Sequence, residues 1–139
     1  INKEEAHLLL KELEAYIQRI GGSRILEERI DFGLISPYKA QVQYLRGKIK
    51  SSASLRPYRS LITVNTVDGF QGQERDVIFI SLVRANEEGQ IGFLNDLRRM
   101  NVAITRARMK LVILGEVTTL SHHTFYKRLL EYVRTINDK

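Results

Sequence analysis

Apolar and polar positions along this chain repeat in two periods. Ala6, Leu9, Leu10, Leu13, Ile17 and Ile20 recur at three-to-four spacing, which predicts a helix over Lys3–Ile20. Gly21-Gly22 then supplies the glycine that commonly closes a helix. Ser23–Arg29 is polar and reads as a loop. Phe32–Ser36 is a short apolar run that reads as a buried strand, broken by Pro37. From Tyr38 the helical period returns at Val42, Leu45 and Ile49, and Ser51–Ser60, with Pro57, reads as an irregular connection. Leu61–Thr66, rich in β-branched residues, reads as a second strand, and Val77–Val83 as a third that is buried on both faces. Val67–Arg75 and Asn86–Gly92 are polar loops. An arginine-bearing helical pattern follows Gly92, then an apolar strand at Leu111–Leu114. Phe125, Leu129, Val133 and Ile136 share one face of a last expected helix, His123–Asn137.

Strands and helices therefore alternate, and the strands are continuous apolar runs rather than in-out alternations. That pattern predicts a parallel sheet covered on both sides, an α/β sandwich with right-handed crossovers. Ligands of such sheets are met by loops at the carboxyl ends of the strands. Three segments answer that description: Ser36-Pro37-Tyr38, Val67–Glu74 and Arg84–Asn95.

Bulk composition narrows the class. A chain of 139 residues, 43% hydrophobic and 27% charged, is one ordinary globular domain. It contains no cysteine, which excludes disulfides and thiolate metal sites, and His7, His122 and His123 lack metal-ligand spacing. No run approaches the roughly 20 apolar residues of a membrane span. A net charge of +6 permits a polyanionic partner without demanding one. The chain opens on Ile1, which reads as a segment of something longer.

The candidate chemistry lies in the polar segments. Arg98, Arg99, Arg106 and Arg108 stand on the expected helix before Leu111. Arginine is always charged and its planar fork suits phosphate. On a helix Arg106 and Arg108 would lie roughly 200° apart, so one should face a cleft and the other turn away. Taken alone, the stretch reads more readily as a basic amphipathic surface helix. In Thr66–Asp76, Gly69 and Gly72 allow close approach of backbone amides, and Gln71 and Glu74 offer groups suited to a sugar or base edge. A surface loop with turn glycines accounts for the same residues, and the spacing of Asp68, Glu74 and Asp76 does not suit a hard cation. In Gly33–Gln41, Ser36, Pro37 and Tyr38 place a hydroxyl, a kink and a stacking ring at the sheet edge, or simply end a strand.

Absences matter equally. No phosphate-binding G-x-x-x-x-G-K-[ST] occurs, and no apolar strand ends in an acidic pair that would hold Mg²⁺. No Ser/His/Asp or Cys/His arrangement offers a nucleophile. This chain should not bind and hydrolyse a nucleotide alone, though an arginine can complete a site on another domain and contribute about 10³–10⁵ in rate.

Taken together, three segments resemble known motifs in order and at suitable separation. S-P-Y-K-A-Q, within residues 33–41, resembles motif IV of superfamily 1 helicases. T-V-D-G-F-Q-G-Q-E-R-D-V-I-F-I-S-L-V-R-A-N, within the motif V region placed at 62–84 and running on to Asn86, resembles motif V. G-F-L-N-D-L-R-R-M-N-V-A-I-T-R-A-R, residues 92–108, resembles motif VI. The match is nearest the branch with the nonsense-mediated decay helicase, senataxin and the immunoglobulin-mu-binding helicase.

The resemblance implies a second RecA-like motor domain over residues 1–139. The fold would be a three-layer α/β sandwich of the P-loop NTPase type, with a mainly parallel sheet and helices on both faces. By the same resemblance Arg106 would reach the γ-phosphate of ATP bound on a first RecA-like domain of the same polypeptide. Gln71, Gly72 and Glu74 would line the nucleotide, with Glu74 near the ribose. Ser36, Pro37, Tyr38, Thr66 and Val67 would track the backbone of single-stranded DNA or RNA. Arg98 and Arg99 match the family's arginine pair, and Arg108 carries no catalytic role. The Mg²⁺ ligands would lie on the first domain. The implied whole is a monomeric, intracellular ATP-dependent helicase. The alternatives are a non-catalytic nucleic-acid-binding or partner-docking module that kept the fold, and one part of a composite enzyme such as a helicase fused to a nuclease.

Overall fold

The computed structural model describes residues 3–70, 73–81, 107–118 and 124–133, with 115–118 and 124–133 described through their backbone alone. Helix α1 spans Lys3–Ile20, as its apolar spacing predicts, and buries Ala6, Leu9, Leu10, Leu13, Tyr16 and Ile17. Gly21 follows at φ 100°, a conformation that glycine adopts without a Cβ penalty. The expected loop at Ser23–Arg29 is instead mostly a short helix, α2, Gly22–Glu28. Its one buried residue is Ile25, which anchors it in the same core as α1. Two apolar side chains in seven residues are too few to show a period, so tertiary packing decides the outcome.

Strand β1 is Phe32–Ser36, and helix α3 is Lys39–Ser51 with Val42, Leu45 and Ile49 buried. The connection beyond α3 contains a 3₁₀ helix, Arg56–Leu61, with Pro57 in its first turn. Strands β2, Ile62–Thr66, and β3, Arg75–Ser81, follow. Strand β4, Ala107–Thr118, starts earlier and runs longer than its apolar centre at Leu111–Leu114 predicts.

The sheet order is β2-β1-β3-β4, all parallel, with a fifth strand beyond β4. That strand, β5, is Thr124–Val133 and pairs antiparallel with β4, from Thr118↔Thr124 to Lys110↔Val133. It replaces the last helix expected at His123–Asn137. Phe125, Leu129 and Val133 do fall at helical spacing. However, the run also holds Thr124, Phe125, Tyr126, Tyr132 and Val133, residues that suit a strand, and the long β4 offers an edge of unpaired backbone groups. The mainly parallel α/β sheet of the RecA-like fold stands with that antiparallel addition.

The two faces of the sheet are packed differently. Helices α1 and α3, with Ile25 of α2, share one core with Phe32, Leu34, Val77, Phe79, Val112 and Leu114. The opposite face presents Ile35, Ile78, Ile80, Leu111 and Ile113, with Phe70 in the same cluster and Val67 packed against it. The period of two along each strand sorts these residues onto their faces. At the open edge, Arg46 of α3 donates twice to the carbonyl of Val64, at 3.0 and 2.7 Å, and so occupies an acceptor of the edge strand β2. The arginine helix expected before Leu111 falls on residues outside the described ones up to Arg106.

Candidate functional site

The strand-tracking candidates come together at the carboxyl edge of the sheet. In register, Ser36 is the partner of Thr66, so the last residues of β1 and β2 stand side by side. Pro37 ends β1, and Tyr38 turns the chain into α3, its carbonyl accepting the Val42 N–H at 3.1 Å. Ser36 is fully buried and its hydroxyl accepts the N–H of Tyr38 at 3.3 Å. Its side chain shapes the turn from within, while Pro37 and Tyr38 are half-buried and reach the surface.

Thr66 opens the next turn. Its hydroxyl accepts the Gly69 N–H at 3.2 Å and its carbonyl the Phe70 N–H at 3.0 Å. The Asn65 side chain folds back on this turn, accepting the Thr66 N–H at 2.8 Å, and a Cβ at Gly69 would collide with the Asn65 amide. Phe70 then plunges onto the sheet. A Cβ built at Gly33 would stand 2.8 Å from Phe70 Cζ, so the ring occupies the space that glycine leaves over β1.

From there the chain does not return to the carboxyl edge. The segment from Val67 to Glu74 starts beside β1 and β2 and ends at the amino end of β3. The segment leaves the carboxyl end of β2, as expected, and its far end meets the amino end of β3. A parallel β2-to-β3 connection must cross the sheet from one edge to the other, and here no helix intervenes among the described residues. Arg75 fastens the crossing. Its guanidinium donates to Thr63 Oγ1 at 3.1 Å and to Gln73 Oε1 at 2.9 Å, and its Cζ lies 5.4 Å from the Phe70 ring centre.

At the amino edge, two aspartates exchange hydrogen bonds. Asp76 Oδ2 accepts the Asp31 N–H at 3.1 Å, and Asp31 Oδ1 accepts the Asp76 N–H at 2.7 Å. Arg108 closes the group, with Nε 2.9 Å from Asp76, Nη2 3.2 Å from Asp31 and Nη1 3.6 Å from Glu74. The hydrogen bond to Asp76 comes first among the causes that raise the Arg108 pKa above its ordinary value; burial opposes it.

Arg108 is therefore a strand residue, contrary to the expected helical position 200° from Arg106. The early start of β4 at Ala107 overrides the helical period, since the strand gains its ladder with β3 and Arg108 gains three carboxylates. Glu74 lies immediately before Arg75, whose register partner is Ala107, the residue after Arg106. Arg106, Gln71, Gly72, Arg98 and Arg99 lie outside the described residues. Among the described residues, no group of three or more His, Cys, Asp or Glu side chains could hold a metal ion. The carboxylates of the amino edge converge on Arg108 instead.

Asp31 and Arg75 were not among the expected site residues. Asp31 had a legible signal. Like Asp76, it directly precedes an apolar run, and the Phe32↔Val77 register sets the two aspartates opposite each other.

A second polar group, this one buried, joins the carboxyl edge to the helices. Ser81, the last residue of β3, donates to Glu5 Oε1 of α1 at 2.5 Å and accepts from Gln41 Nε2 of α3 at 3.3 Å. All three side chains are fully buried. The start of α3, and with it Tyr38, is thereby tied to the sheet.

Known proteins are similar to this chain in sequence. A family model described as an AAA domain matches residues 1–118. Over 106 residues the chain is 43% identical to the probable helicase MAGATAMA 3 of Arabidopsis thaliana, which is 76% of this chain and 13% of that protein. Over 99 residues it is 44% identical to helicase sen1 of Schizosaccharomyces pombe, covering 71% of this chain and 6% of that one. A regulator of nonsense transcripts 1 homolog of Arabidopsis thaliana is 40% identical over 136 residues, 96% of this chain and 10% of the relative. The chain thus spans a small fraction of the length of these relatives. No helix among the described residues is long and apolar enough to cross a membrane.

Proposed function

The chain belongs to the AAA-domain family of superfamily 1 helicases, in the branch of sen1 and the nonsense-transcript regulators, and from that membership we propose that it is the second motor domain of an ATP-dependent helicase. ATP would sit between this domain and a first RecA-like domain of the same polypeptide. Arg106 would reach the γ-phosphate when that cleft closes, stabilising charge on the transferring phosphoryl. Gln71, Gly72 and Glu74 would line the nucleotide, with Glu74 near the ribose. Pro37, Tyr38, Thr66 and Val67 would follow single-stranded DNA or RNA, with Ser36 shaping their turn. The protein would work inside the cell as a monomer. Mg²⁺ would neutralise phosphate charge from ligands on the first domain; the carboxylates at this domain's amino edge are engaged by Arg108.

One observation supports the reading most. The candidate strand residues and Glu74 occupy opposite edges of the sheet, and the short Val67–Glu74 segment is their direct covalent link. It is pinned by Phe70 on Gly33, and Arg75, the residue just past its end, is bonded to Thr63. A movement at the nucleotide edge would be carried to the strand edge through this segment. Opening and closing of the cleft would then move the grip along the strand. The test is a full-length parent carrying Arg106→Ala, which should keep its fold and its strand binding but lose strand-stimulated ATP turnover.

A further inference from the structure

The net charge of this chain is not spread over it. Residues 32–67 contain Lys39, Arg46, Lys48, Lys50, Arg56 and Arg59 and no acidic residue, so this one segment accounts for the whole excess of +6. Among the described residues, none of the six forms an ion pair with a carboxylate.

The fold arranges four of them in a line. Lys39, Gln43, Arg46 and Lys50 are all exposed on α3. At about 100° per residue they fall within roughly 60° of one another, along about 16 Å of helix. Arg59 extends the line, since its Nη1 donates to the Lys50 carbonyl at 3.3 Å. Arg46 is held in place by its two bonds to Val64.

Helix stability does not account for this placement. Lys48 and Lys50 suit the negative end of the helix dipole, but Lys39 sits at the positive end, and the first turn of α3 has no acidic residue. The Lys39 end of the line is the residue after Tyr38, so the stripe is continuous with the proposed strand grip.

We propose that the α3 stripe, Lys39–Arg46–Lys50–Arg59, binds the sugar-phosphate backbone of the single strand as it leaves the carboxyl-edge loops. The inference rests on the helicase reading above. A narrow line of cations on one helix face fits a single extended backbone, and its contribution is counterion release rather than base recognition.

The experiment uses the full-length parent, wild type beside a Lys39→Gln/Lys50→Gln/Arg59→Gln triple variant, with Arg46 kept because it caps β2. Binding is measured across a salt series with a short oligonucleotide of about 8 nucleotides, the scale of one binding fold, and with one roughly three times longer. The expected result is a 10- to 100-fold loss on the long strand, with a log–log salt slope shallower by about 2, at roughly 0.7 per lost contact. Binding of the short strand and ATPase activity without nucleic acid should be unchanged.

Unchanged affinity and slope on the long strand would overturn the proposal. So would an equal loss on both lengths, a loss confined to blunt duplex, or a loss confined to phosphatidylserine vesicles. A wild-type parent that binds no strand would overturn the helicase reading itself, and the stripe with it. Wild-type binding with an indifferent triple variant would overturn the stripe alone.

Discussion

Arg108 Nε lies 2.9 Å from Asp76 Oδ1, which ties the second residue of β4 to the second residue of β3. Asp76 and Asp31 in turn each accept the other's backbone N–H on a side-chain carboxylate oxygen. Three strands thus start from one polar knot, next to the position from which Arg106 would leave the sheet. Asp76→Ala removes an acceptor used by both Arg108 and the Asp31 N–H, and should cost about 1–3 kcal/mol. Arg108→Gln should cost less, about 1 kcal/mol or below, because that guanidinium is 44% exposed. Amide hydrogen exchange in the starts of β1, β3 and β4 should speed up in both variants, and more in the first. The reverse order would show that Arg108, not Asp76, holds the knot.

The crossing segment makes a second expectation. Gly33→Ala drives a methyl to within 2.9 Å of two Phe70 ring atoms and 3.2 Å of Arg75 Cγ. Overpacking of that kind costs about 1–3 kcal/mol. Phe70→Ala should cost about 3–5 kcal/mol by opening a cavity. Trimming the ring to Leu in the Gly33→Ala background should recover part of the loss in a urea titration. No recovery would mean the glycine is needed for some other reason.

Ser81 carries the third. Its hydroxyl serves Glu5 and Gln41 together in a fully buried setting. Ser81→Ala takes a shared partner from two buried polar groups and should destabilise by about 1–3 kcal/mol. Ser81→Thr, which keeps the hydroxyl, should recover part of that loss.

At the carboxyl edge, Tyr38→Ala should weaken single-strand binding by about 1–3 kcal/mol if the ring stacks on a base, while Tyr38→Phe keeps most of the affinity. Fluorescence anisotropy of a labelled oligonucleotide would measure it. Equal affinity in all three proteins would remove Tyr38 from the strand grip.

Local patterns made part of this legible. The period of α1 and the apolar run of β1 located both to the residue, and the alternation of helices with continuous strands pointed to the parallel sheet. What escaped depends on partners distant in sequence. Thr124–Val133 is read as helix from its own spacing and becomes a strand against the long edge of β4. Arg108 fits a helical stripe until Asp31 and Asp76, far apart in the chain, draw it into β4. Ser36 reads as an edge hydroxyl, yet the turn to Tyr38 consumes and buries it. Glu74 follows a loop that starts at one edge, and only the β3 register reveals that it ends at the other.

The proposed role of this domain is to complete an ATP site on a neighbouring domain and couple it to a strand. The most direct measurement is ATP turnover by the full-length parent, wild type beside Arg106→Ala, with and without single-stranded DNA and RNA. Turnover should be stimulated by a strand in the wild type and reduced by about 10³-fold or more in the variant, with strand affinity retained. Stimulated turnover that survives in Arg106→Ala would contradict that role.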